Sequence, residues 1–170
     1  LNYQLKSAET RLSAQFKDGD ALLAISKNPD SPRLRDFLLR RKDYTIFHAT
    51  ITGMGGSVIE PGVAPAEHAI MGVHDLIKAG FPADHVVLRI DPIVPTPKGI
   101  RTAKAVVDAA SDLLPGVTRL RFSFIDGYRG IKSMLPWSSF HAPAERQAEA
   151  MAMLKSSRFT LEACGEPQLK

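Results

Sequence analysis

The sequence holds a single cysteine, Cys164. One thiol excludes an internal disulfide and any CxxC-type site made by this chain alone, and it fits a reducing, cytoplasmic setting. Long apolar runs are missing too. None approaches the roughly 20 residues that a membrane helix needs, so no membrane partner is expected. Residues 1–6 lack the apolar block of a signal peptide. Leu1 stands where a start methionine would, which reads as a processed or truncated piece of a longer chain. Charge of one sign is only slightly in excess, with 22 Lys and Arg against 18 Asp and Glu. That balance permits a phosphate or nucleic-acid ligand without arguing for one. At 170 residues there is room for one domain over 1–170 with one core.

What the sequence does have is repetition. Short apolar or β-branched runs at 21–25, 44–52, 86–90, 120–125 and 158–163 read as strands. The first looks like a strand buried on both faces. Helical spacing covers 7–16, a segment opening at Ser31-Pro32 with Leu34, Phe37 and Leu38 inward, then 66–79, 100–114 and 143–157. The expected inward residues are Ile70, Val73, His74 and Ile77 on 66–79, and Ala148, Met151 and Leu154 on 143–157. Strand and helix alternate, so the expected fold class is α/β, repeated β-α units forming a parallel sheet. An open doubly wound sheet and a partial TIM-like (β/α) barrel both fit. A full eight-stranded barrel takes about 250 residues.

In either architecture the site lies at the carboxyl ends of the strands. Those ends carry polar groups: Ser26, Lys27 and Asn28, then His48, Thr50 and Thr52, then Arg89 and Asp91, then Ser123 and Asp126 with Tyr128 beyond. Strand alternation puts Thr50 with Thr52, and Arg89 with Asp91, on one side, which would make a polar cup. Each residue alone has a structural explanation, because Asn-Pro, Asp-Pro and Asp-Gly also end strands for backbone reasons. His48 shares the side of Thr50 and Thr52 and is the histidine best placed for a site. Its competing reading is a core histidine with its hydrogen bonds made.

Other motifs point less far. The 53–56 run, Gly-Met-Gly-Gly, follows a strand and can cradle an anion or approach a ligand closely, but it matches neither GxGxxG nor the P-loop. There is no GxSxG elbow and no helical His pair at zinc spacing. The basic stretch 33–42 reads as the solvated face and C-terminal end of a helix. With the Gly-rich run it also supports an alternative function, a non-redox β/α module for a phosphorylated or nucleic-acid ligand. A third reading is a catalytically inactive interaction piece.

One ordered set of motifs goes further. Ser26-Lys27-Asn28-Pro29, Thr50-Ile51-Thr52-Gly53 with Ile59-Glu60-Pro61-Gly62, Arg89-Ile90-Asp91-Pro92-Ile93, and Phe122-Ser123-Phe124-Ile125-Asp126 with Tyr128 resemble radical SAM proteins of the spore photoproduct lyase-like group, including a little-characterised bacterial branch. The match spans roughly residues 21–128. The resemblance implies a partial TIM-like barrel, a [4Fe-4S] cluster, S-adenosylmethionine and hydrogen abstraction by a 5′-deoxyadenosyl radical. It implies cofactor contacts from Asn28, Thr50, Thr52, Arg89, Asp91 and Ser123, and catalytic roles for Asp126 and Tyr128. The family's three cluster cysteines, in a Cys-x3-Cys-x2-Cys-like run, are absent from this sequence. The reaction is therefore not expected from this chain alone.

Overall fold

The computed structural model describes residues 20–125 and 142–164. The expected helix at 7–16 and both Asp126 and Tyr128 lie outside them. The described elements run β1 (Leu22–Ser26), α1 (Pro32–Leu39), β2 (Thr45–Thr50), α2 (Ala66–Lys78), β3 (Val86–Ile93), α3 (Pro97–Leu113), β4 (Arg119–Phe124), α4 (Ala144–Lys155) and β5 (Thr160–Ala163). Single 3-10 turns at Lys42–Tyr44 and Ala83–His85 lead into β2 and β3.

All five strands are parallel and lie in chain order, β1-β2-β3-β4-β5. One hydrophobic cluster joins one side of the sheet to the helices: Phe47, Ala49 and Ile51 of β2 and its extension, Leu88 and Ile90 of β3, and Leu120, Phe122 and Phe124 of β4 meet Leu38, Val73, Leu76, Val106, Val107 and Leu154. Every described helix therefore covers the same face. A doubly wound sheet divides its helices between two faces, whereas the described helices lie on one, an arrangement compatible with a (β/α) barrel.

Local chemistry sets the element ends. Ser31 caps α1 by accepting from Leu34 N, with Pro32 in the first turn. Thr96 caps α3 in the same way, its Oγ1 accepting from Gly99 N at 3.1 Å, ahead of Pro97. Gly80, at φ +101°, ends α2 in a left-handed conformation that suits glycine.

Several expectations need correction. β1 is not buried on both faces: Leu23 and Ile25 are 54% and 52% exposed, because β1 is an edge strand with only its Ala24 side against the core. β3 does not stop at Asp91-Pro92 but continues to Ile93 through a cis Asp91–Pro92 bond, where its register on β4 shifts. His74 does not face the core; α2 buries Ala69, Ile70, Val73 and Leu76, and His74 lies beside Asp75, half-buried. Ala148 is exposed, and α4 buries Ala150 and Leu154 instead. The other expected inward residues hold, with Ile70, Val73 and Leu154 buried and Ile77 and Met151 packed against the core; the two that miss are a histidine and an alanine, which suit either face of a helix.

Candidate functional site

The face of the sheet that the described helices leave free is built in layers. In a parallel sheet, residues paired in register send side chains to the same side, and every second residue repeats that side. Ile25, His48, Val87, Arg119 and Thr160 form one layer across the strands. Thr50, Arg89, Arg121 and Glu162 form the next. Thr52, Asp91, Ser123 and Cys164 follow by alternation, nearest the carboxyl ends. Cys164 donates its backbone N–H to Phe122 O at 2.8 Å, which carries the β4–β5 ladder one step past the strand.

Two carboxylates organise these layers. Asp91 accepts from Arg89 Nε at 2.8 Å and from Arg89 Nη2, and its other oxygen accepts from Ser123 Oγ at 2.5 Å. Glu162 accepts from Arg119 Nε at 2.7 Å, and from Arg121 Nε at 3.1 Å and Nη2 at 2.6 Å. Burial works to raise the Glu162 pKa, but the hydrogen bonds from the two arginines outweigh it and hold the carboxyl below its usual range.

His48 is 3% exposed, and among the described residues its Nδ1 has no hydrogen-bond partner. Burial first, and then the positive charges of Arg121 and Arg89, push its pKa down to about 4. It is therefore a neutral imidazole at neutral pH. The expectation of a fully bonded core histidine is corrected at this atom.

At the edge of the basin the β2 loop is pinned by Glu60. Its carboxylate accepts from Thr52 Oγ1 at 2.5 Å and from Lys27 Nζ. Thr52 Oγ1 in turn accepts from Met54 N at 3.1 Å. Asn28 stands apart from the polar layers: its Oδ1 accepts from Ala64 N at 3.3 Å and ties the end of β1 to the start of α2. Gly53 has φ +77°, and a Cβ there would meet Thr102 Cγ2 at 2.5 Å. The close approach made by this glycine is thus to α3. Between that loop and the first turns of α3 lies a mainly apolar cavity of about 200 Å³, bordered by Thr52, Met54, Ile59, Pro92, Val94 and Thr102.

Five of the expected residues, Thr50, Thr52, Arg89, Asp91 and Ser123, thus share one face. The sequence reading missed Arg119, Arg121 and Glu162. Their signal was there, as the period-two run Arg119-x-Arg121-x-Ser123 on β4 and Thr160-x-Glu162-x-Cys164 on β5. The basic stretch 33–42 behaves as a helix end: Arg33, Arg35 and Arg40 are exposed, while Arg41 stacks over the Phe37 ring at 4.3 Å.

These features define an α/β domain with helices on one face of a parallel sheet and a charged, layered site on the other. Residues 2–170 match the model of the DUF1848 family, a domain of unknown function, and the chain belongs to that family. No curated protein and no solved structure matches it. Among the described residues, no helix is long and apolar enough to cross a membrane.

Proposed function

We propose that this chain is a domain of the radical SAM type, spore photoproduct lyase-like, or a fragment of one, and that it binds S-adenosylmethionine at the carboxyl ends of its strands; the hydrogen abstraction of that family would need a cluster and its electron from outside these residues. On this reading the five strands belong to an incomplete TIM-like barrel. The observation that supports it is the convergence of Thr50, Thr52, Arg89, Asp91 and Ser123 on one face next to an apolar cavity. S-adenosylmethionine carries a carboxylate, an ammonium, a ribose diol and a planar base. The fork of Arg89 suits the carboxylate, Asp91 suits the ammonium, and the hydroxyls of Thr50, Thr52 and Ser123 suit the ribose. The cavity by Met54, Ile59 and Pro92 offers an apolar wall to the base.

The [4Fe-4S] cluster is not a fit for these residues. Cys164 is the only cysteine, and such clusters are held by several thiolates. The work assigned to this chain is binding and orientation: Asp91 holds Arg89 in place, Glu60 fixes Thr52, and both keep the polar rim set before the cofactor arrives. Asp126 and Tyr128, which follow β4, keep the catalytic roles that the resemblance gives them.

Calorimetric titration of the chain with S-adenosylmethionine tests the reading. Saturable binding with a stoichiometry near one is expected. Asp91→Asn and Ser123→Ala should each weaken it about tenfold, or roughly 1.4 kcal/mol. Heat that never saturates, or unchanged affinity in both variants, overturns it.

A further inference from the structure

Below the rim, the open face carries more positive charge than it neutralises. Among the described residues of the three layers, Arg89, Arg119 and Arg121 face two carboxylates, Asp91 and Glu162. Arg89 and Arg121 occupy directly paired positions of β3 and β4, and Arg119 lies two residues before Arg121 on the same side. Like charges at paired positions repel. Such a cluster is tolerated when further negative charge joins it.

The geometry leaves room for that charge. Glu162 engages Arg119 through Nε alone and Arg121 through Nε and Nη2. Among the described residues, no acceptor meets either Nη of Arg119 or Nη1 of Arg121. The two side chains are 38% and 33% exposed, so a solute can reach these donors. A guanidinium locked on one edge by a carboxylate is oriented in advance on its other edge.

His48 is an independent observation. It pairs with Val87, which pairs with Arg119, so the imidazole and Arg119 share a layer of the open face. The residue is only 3% exposed, and yet among the described residues its Nδ1 has no hydrogen-bond partner. A buried polar atom left unpaired is costly and calls for an explanation. A ligand oxygen reaching that layer supplies one.

We propose that Arg119, Arg121 and His48 form an oxyanion subsite beneath the rim, which receives a phosphate or carboxylate group of the substrate. Glu162 is its positioning residue. The subsite names the substrate class of the basin and rests on the reading of that basin as a ligand site. It does not require S-adenosylmethionine itself to be the ligand at the rim.

The probes are inorganic phosphate and acetate, titrated separately into the chain at constant ionic strength and followed by the NMR signals of the arginine Nε–H groups and the His48 ring. Saturable shifts are expected at Arg119, Arg121 and His48, and the anion that binds more tightly assigns the group. Arg121→Gln should weaken that anion at least about tenfold, and so should Arg121→Lys, which keeps the charge and loses the fork. Arg40→Gln, on the exposed end of α1, should bind as the wild type does. Shifts that track sodium chloride equally well, or that persist unchanged in Arg121→Lys, overturn the proposal. The wild-type titration decides the matter even if Arg121→Gln fails to fold. Anion binding without S-adenosylmethionine binding removes the cofactor reading and leaves the subsite. The reverse result removes the subsite and leaves the cofactor reading.

Discussion

Glu162 of β5 sits directly opposite Arg121 of β4 and binds it through two nitrogens, while its second oxygen takes Arg119 from one layer below. One carboxylate therefore clasps two guanidiniums and ties the edge strand β5 to the sheet. Glu162→Gln keeps the volume and removes the charge. Because the side chains are a quarter to two-fifths exposed, the expected loss is modest, about 1 kcal/mol. Urea unfolding midpoints measure it. The difference from wild type should shrink in 1 M salt, where the Debye length falls to about 3 Å.

Acid should destabilise the chain through two groups on the same face. His48 has a folded pKa of about 4, below its ordinary value of 6.5. Between those two values the unfolded chain binds the proton that the folded chain refuses, so stability falls as the pH drops through that window. Glu162, held below the usual carboxylate range, adds stability above its unfolded pKa, and that contribution is lost as the pH falls through its folded value. His48→Gln removes the first effect. Its stability should change less between pH 7 and pH 5 than that of wild type, by up to about 2 kcal/mol. Equal slopes in the two proteins would contradict the burial of a neutral imidazole.

Thr52 carries two bonds that shape the β2 loop, one to Glu60 and one from the Met54 amide. Thr52→Val leaves both partners short of a hydrogen bond beside the rim. A loss of about 1–2 kcal/mol is expected. Hydrogen exchange should show the Met54 amide losing protection before the amides of β2 and β3 do.

Gly53 combines a positive φ with a close approach to α3. Gly53→Ala meets both obstacles, backbone strain and overlap with the Thr102 methyl, and should cost about 1–3 kcal/mol. Thr102→Ser removes the methyl and leaves the backbone term. The double variant should therefore recover part of the loss, measured as a non-additive term in a double-mutant cycle.

Core truncation sets the upper end of the scale. Phe122 is fully buried between the sheet and the helices. Phe122→Ala should cost about 3–5 kcal/mol by thermal or urea unfolding. The variants of the open face should stay well below that figure.

Much of this was legible in the residues. Alternating strand and helix patterns gave the α/β class, and Ser31-Pro32 marked the start of α1. The alternation of Thr50 with Thr52, and of Arg89 with Asp91, showed which side chains would share a face. The inward stripes of α2 and α4 were legible at Ile70, Val73 and Leu154 but not at His74 and Ala148, because Ala and His fit a helix surface or its interior. Nor was the role of Asn28, whose bond to Ala64 spans 36 positions.

Local periodicity and turn chemistry thus specify which segments are strands and helices, since each depends only on neighbours a few residues away. Strand order is a different matter. Only packing placed β3 between β2 and β4, put all described helices on one face, and brought Glu162 within reach of arginines 41 and 43 positions earlier in the chain. The charged face exists because most apolar side chains of β2 to β5 were drawn to the opposite side against the helices, an outcome that belongs to the whole sheet and to no single stretch of it.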